Sequence, residues 1–443
     1  MKRDRKRGFR GYDLLGKVLS LSLAAIILVM MELVSRVAFQ QTHLDQILAV
    51  LERDPVLFRR NRSNLDTTFA GAPMFTEKRG LRVAAKGGKL SPRPRLGSRR
   101  IVCMGASPTF GWGVPYAVAY PGRLEQLLIQ NGIDSEVINA GMIGNSSHQG
   151  KMLLKYELFD LSPSLITVAY VINDIDKYRF FRSNGQPDRL LDRENGCLTS
   201  LMNIVDRSFF VRLYGKMIGR VVGWRGAVEG RPLELYRPLS VRVPPEDYRA
   251  NLEEIVRTAG ERGVRVVYVK MPVNLPSALD PPRAEAEEAQ RLCGQGVALA
   301  EKGECEAALP LLEKAVALNG NLSEAHYFIG VCQRRRGQDD RARQAFDRAM
   351  KSEAYRCGRD GLRYNQIMEE VAGELGIDLV DVAAAFRETS GEYLFLDPDH
   401  DPIHPNARGH EIIAGRLFQT LAKRPQLATC LPSGKAIEAE SVR

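Results

Sequence analysis

The sequence predicts an α/β protein: a three-layer α/β/α arrangement around a parallel sheet, with an inserted all-helical arm and an N-terminal transmembrane helix. Three observations predict it. From residue 100 onward, short continuous apolar runs alternate with amphipathic stretches of helical period, as expected for strands buried on both faces and covered by crossover helices. Inside that alternation a block of sequence repeats itself at a spacing of 34 residues, the mark of stacked helical pairs. Ahead of both, an uncharged apolar run follows a cluster of basic residues, as a membrane anchor does.

The N-terminal run comes first in chain order. Val18 to Met31 carries no charge, and Leu14, Leu15, Leu33 and Val34 extend its apolar character on both sides. The run from Leu14 to Val34 approaches the roughly 20 residues that span a bilayer. The basic end is expected to stay cytoplasmic, leaving the rest of the chain periplasmic or extracellular. A cleaved signal peptide is the rival reading, but no small-x-small pair follows the apolar core at the right place. Of the net charge of +10, Lys2, Arg3, Arg5, Lys6, Arg7 and Arg10 against Asp4 place +5 before residue 12. The remainder is only mildly basic and lacks a compact basic-aromatic motif, which argues against nucleic acid as a partner. The 44% hydrophobic and 26% charged residues argue against disorder for the bulk of the chain.

Residues 36–98 are polar and rich in Gly, Pro and basic clusters, and read as a stem. Strands are then expected at Ile101–Met104, Val137–Ile138, Leu165–Ile172 and Val264–Val269. Helices are expected around Leu124–Ile129, Met152–Leu161 and Tyr248–Ala259. An amphipathic run around Leu201 to Val221, with Phe209, Phe210 and Tyr214, reads either as a lid over an acyl group or as packing on the sheet edge. Gly296, Gly303, Ala308, Leu312 and Ala315 recur as Gly330, Gly337, Ala342, Phe346 and Ala349. Small residues thus fall where paired helices cross, and larger ones where they pack. A helix over 364–375, a strand at Ile377–Val380 and a last helix over 407–422 complete the sheet. The expected division is a basic cytoplasmic tail (1–12), an anchor (13–35), a stem (36–98), the α/β domain (99–273 and 358–425) interrupted by the repeat (284–356), and a flexible tail (426–443). Seven cysteines without a C-x-x-C pair make no zinc pattern, and Cys103 reads as a small core residue.

The chemistry-bearing residues fall just after strands. Ser107 closes the first apolar strand, Gly144 follows the second and Asn173 the third, and in a parallel sheet functional residues gather beyond the carboxyl ends of strands. Asp401 precedes His404 by three positions, a spacing at which a carboxylate can orient an imidazole. Gly105-Ala106-Ser107-Pro108-Thr109-Phe110-Gly111, Asn139-Ala140-Gly141-Met142-Ile143-Gly144, Val171-Ile172-Asn173-Asp174 and Asp401-Pro402-Ile403-His404 together resemble, in family order, the four blocks of the SGNH (GDSL-type) hydrolases. The repeat resembles the tetratricopeptide motif.

The SGNH resemblance implies a nucleophile at Ser107, a general base at His404 and an orienting acid at Asp401. It implies oxyanion donors at the backbone N–H of Ser107, the backbone N–H of Gly144 and the side-chain amide of Asn173. It implies no cofactor and no metal, although Asp397, Asp399, His400, Asp401 and His404 also form an oxygen- and nitrogen-rich cluster. Two positions depart from the family pattern. The usual aspartate before the nucleophile is Ala106, which removes a carboxylate that organises the surrounding loops. The usual glycine two positions before the oxyanion asparagine is Val171, which adds bulk beside the hole. The expected activity is cleavage or transfer of an acyl ester of an extracytoplasmic polysaccharide or lipid. The alternative is an interaction protein on the same fold, whose repeats dock a partner in an envelope polysaccharide complex.

Overall fold

The computed structural model describes residues 4–38, 47, 49–176, 187–190, 196–211, 213–214, 241–273, 283–389, 391–397 and 401–423. These form two compact units, one joining the N-terminal helix to part of the 194–231 stretch, the other holding the rest. In the first, α1 (Asp4–Ala38) runs unbroken for 35 residues. Its window Gly16–Val37, with mean hydropathy 2.3, is long and apolar enough to cross a membrane. The helix begins at Asp4, within the expected basic tail of residues 1–12.

The second unit begins where a stem was expected. Residues 51–83 form strands: β1 (Leu51–Asp54) and β2 (Phe58–Asn61) make a hairpin, while β3 (Asp66–Phe69), β4 (Ala72–Thr76) and β5 (Arg82–Val83) join the main sheet. The β5 strand pairs antiparallel with the strand after Asp134 through Arg82 and Asn139. Alternating burial along Ala72–Thr76 shows why a segment of polar composition folds here: every second side chain is covered.

Beyond it come β6 (Arg99–Gly105), the single turn α2 (Ser107–Phe110), α3 (Tyr120–Gln130), β7 (Ser135–Gly141), α4 (Ser147–Tyr156) and β8 (Leu165–Ala169). In the first unit lies α5 (Gly196–Arg207). The second unit resumes with α6 (Pro245–Gly260) and β9 (Arg265–Lys270), and after the helical arm with β10 (Asp378–Asp381) and α11 (Val382–Glu388). A ribbon of β11 (Phe395–Asp397) and β12 (Asp401–Pro405) and the closing α12 (Ala407–Ala422) end it. The sheet has eight strands in the order β10-β9-β8-β6-β7-β5-β4-β3, and the first five are mutually parallel.

The pleat sorts each strand into two cores. Val102, Met104, Ile138, Ala140, Ile166, Val168, Val266 and Tyr268 pack in one cluster with side chains of α4, α6 and the C-terminal part of the Asp339–Leu375 helix. Ile101, Cys103, Val137, Leu165, Ala169, Val267 and Val269 face the other, with α3 and α12. Both faces are buried, which explains the near-continuous apolar reading of these strands. Cys103 sits fully inside, its thiol pushed up to about 12 by burial.

The arm consists of α7 (Arg283–Lys302), α8 (Cys305–Leu318), α9 (Ser323–Arg335) and α10 (Asp339–Leu375). The 34-residue sequence period is a period of contacts. A Cβ on Gly296 would lie 2.6 Å from Leu312 Cγ, and one on Gly330 would lie 2.5 Å from Phe346 Cε1. Ala308 and Ala342 are fully buried at matching helix crossings. No break separates the arm from the returning α/β chain near residue 357, because α10 runs through as one helix without a proline. Its C-terminal part carries Tyr364, Met368, Val371 and Ala372 into the sheet core.

Candidate active site

Parallel register sets the site. Gly105 of β6 pairs with Gly141 of β7 on one side and Ala169 of β8 on the other. The chain segments leading to Ser107, Gly144 and Asn173 therefore leave the sheet side by side. Ser107 opens α2 and is buried. Its backbone N–H is among the first of a helix, which have no acceptor within the helix.

His404 arrives from β12. Its Nε2 lies 2.8 Å from Ser107 Oγ, and its Nδ1 lies 2.7 and 2.9 Å from the two oxygens of Asp401. An ionised carboxylate only accepts, so the hydrogen sits on Nδ1, and Nε2 accepts the Ser107 O–H. Asp401 also accepts the backbone N–H of His404 at 3.2 Å. Burial disfavours its charge, but the imidazole and these N–H donors outweigh burial and hold the carboxyl below its ordinary value. The indole of Trp112 stacks flat on the His404 ring, with centroids 4.7 Å apart and planes 7° apart, and Phe69 of β3 meets the indole edge-on. Trp112 therefore fixes the plane of the imidazole.

The loops bearing Gly144 and Asn173 are tied together. One hydrogen of the Asn173 amide goes to the Asn145 carbonyl at 3.0 Å, which orients the amide and leaves its second hydrogen. Gly144 has φ +77°, a conformation glycine adopts without a Cβ penalty. Its carbonyl accepts from Arg242 Nη1 at 2.7 Å. The guanidinium is buried against Asp188, 2.9 Å away, and also reaches Gln149. Asn61 of β2 bonds the Gly141 carbonyl and the Ile143 N–H from the other side. Asp174 accepts from the Ser147 N–H at the start of α4. Burial pushes its carboxyl up to about 7, with Asp188 adding to the rise and Ser147 and Arg242 opposing it.

The turn after Ser107 is held by a residue from within the expected stem. Arg82 is buried and donates to the carbonyls of Phe110, Gly111, Val114 and Pro73, while Asn139 Nδ2 also reaches Phe110. Ala106 removes a carboxylate, and these donors organise the loop in its place. The expectation for Val171 is corrected. Its side chain is buried in the sheet core, 3.6 Å from where a Gly361 Cβ would lie, so its bulk is taken up against α10. His410 on α12 accepts the Tyr120 N–H on Nδ1. Nothing in composition distinguishes Arg82, Asn61 or Arg242 from surface polar residues; only Asn139 stood within a motif. Asp399 and His400 of the alternative metal cluster lie outside the described residues, and among the described residues no group of three His, Cys, Asp or Glu could hold a metal ion.

No family model matches the chain, and no curated protein does. Among solved structures it is similar to a lipase/acylhydrolase from Enterococcus faecalis (14% identity, 76% of this chain and 100% of that one, TM-score 0.36). It is also similar to an acetylxylan esterase from Geobacillus stearothermophilus (13%, 74% and 96%, 0.36) and to a GDSL-like lipase from Bacteroides thetaiotaomicron (10%, 76% and 92%, 0.32). Likenesses this distant say nothing of the chemistry, which rests on the geometry.

Proposed function

We propose that this chain is a membrane-anchored, serine-dependent ester hydrolase or acyltransferase of the SGNH type. The observation that carries the reading is the continuous hydrogen-bonded series Asp401–His404–Ser107. In the proposed reaction the Ser107 proton passes to His404 Nε2 as Oγ bonds to the ester carbonyl carbon. Asp401 holds the imidazole in the competent tautomer and stabilises the imidazolium. Negative charge on the former carbonyl oxygen is met by the N–H of Ser107, the N–H of Gly144 and the free amide hydrogen of Asn173. His404 then returns the proton to the departing alkoxide as the ester C–O bond breaks. The acyl group left on Ser107 is transferred to water or to a sugar hydroxyl by the same steps in reverse order.

The apolar window of α1 supports anchoring with the α/β unit outside the cytoplasm. An α/β unit held there meets the acyl esters of envelope polysaccharide and lipid, the substrate class of this reading. The recurring contacts of the arm support reading it as a tetratricopeptide-like pair. Labelling of the purified full-length protein by a fluorophosphonate, with Ser107→Ala as control, tests the mechanism. Wild type is expected to label and the variant to lose labelling; equal labelling, or none in either, overturns the reading.

A further inference from the structure

α5 is amphipathic but turned inside out. Thr199 is only 3% exposed, and Asn203 and Asp206, at helical spacing from it, are half-buried. The opposite stripe is apolar and open: Leu198 is 57% exposed, Leu201 56% and Ile204 67%. Water disfavours this arrangement, and an apolar medium favours it.

Where α5 ends is set by α1. The chain turns at Ser208, and Glu32 of α1 accepts from Ser208 Oγ at 2.9 Å and from the backbone N–H groups of Phe209 and Phe210, both at 3.1 Å. A carboxylate thus caps the start of the next helical turn. Arg36, one turn along α1, bonds Glu32 and lies over the Phe209 ring at 5.4 Å. Glu32 is about 8 Å of helical rise from Val37, the end of the apolar window. The C-terminal end of α5 is therefore pinned near the end of that window.

We propose that α5 lies in the membrane interface, with Leu198, Leu201 and Ile204 inserted among the acyl chains of the bilayer that holds α1. The lipid surface is the one occupant that accounts for both the inverted burial and the attachment at Glu32. Thr199, Asn203 and Asp206 face the protein, and Arg36 and Arg207 sit at the level of the lipid phosphates. The inference rests on α1 being a membrane anchor.

The test uses the full-length protein in phospholipid nanodiscs. A small environment-sensitive fluorescent amino acid is placed singly at Leu198, Leu201, Ile204, Ser200 or Arg207, with and without lipids carrying a nitroxide on the acyl chain. Fluorescence is expected to be lost at 198, 201 and 204 alike and retained at 200 and 207. Loss that fades from 204 to 198 would mean that α5 rises away from the bilayer. No loss at any position would mean that protein covers the stripe; either result overturns the proposal. Hydrogen exchange of the unlabelled protein gives an independent reading. The α5 amides are expected to be protected in nanodiscs and to lose protection in the double variant Leu198→Asn, Leu201→Asn; unchanged protection counts against it. Alkaline carbonate washing of membranes separates the two readings. Release of the protein breaks the anchor, whereas retention without quenching breaks only the interfacial helix.

Discussion

The two sides of the candidate site are built in opposite ways. On the nucleophile side, Ser107 and the loops around it are buried and held by long-range polar contacts. Arg82 reaches across 28 residues to Phe110, and Asn61 across 82 to Ile143. On the base side, Asp401 and His404 stand three residues apart on a two-stranded ribbon, partly open to solvent. Their mutual geometry is local. One side depends on the fold for its shape, and the other carries most of its shape in its own spacing. Stability and activity are therefore coupled on the first side and separable on the second.

The largest expected effect breaks the local side alone. Asp401→Asn leaves the hydrogen-bond positions in place but removes the carboxylate that sets the imidazole tautomer. Ester turnover should fall by roughly 10⁴-fold with the melting temperature almost unchanged. A parallel loss of stability would show that the ribbon, too, depends on this pair. Arg82→Met attacks the other side. It removes the donor shared by the buried carbonyls of Phe110, Gly111 and Val114 and by the more exposed one of Pro73, so about 2 kcal/mol or more of stability should go. The misplaced turn should cut the rate of fluorophosphonate labelling by roughly 10²-fold. Full activity in a destabilised variant would show that Arg82 braces the fold and not the nucleophile.

The smallest effect is a pH dependence that links the two sides through His410. Burial first, and then the charges of Arg82 and His404, lower its imidazole to about 3 from an ordinary 6.5. The unfolded chain takes up this proton as pH drops below about 6.5, while the folded chain refuses it until about pH 3. The stability His410 contributes is thus complete above the unfolded value and lost as pH falls across that window. Urea unfolding at pH 7 and pH 5 should show the loss, and His410→Gln should shrink the difference. An unchanged difference would assign the acid sensitivity elsewhere.

The central strands, the closing helix over 407–422 and the repeat were legible because each rests on a short-range period: two residues for a pleat, about 3.6 for a helix turn, 34 for a helical pair. Asp401 and His404 were legible for the same reason. The stem was misread because β5 spans only two residues and joins the sheet through a partner more than fifty positions away, a pairing that composition does not announce. The amphipathic run after Leu201 was visible, yet its attachment to Glu32 on α1 was not, since nothing in either segment names the other.

By itself, then, the order of residues determined the alternation of strands and helices, the apolar N-terminal helix, the repeat, and which serine, histidine and carboxylate were candidates. Tertiary structure alone decided that a polar N-terminal segment completes the sheet, that Arg82, Asn61 and Arg242 hold the loops, and that Trp112 lies flat on His404. The reason is physical. A periodic pattern is written within a few turns of chain, whereas a buried donor takes its meaning from the acceptor that folding brings to it.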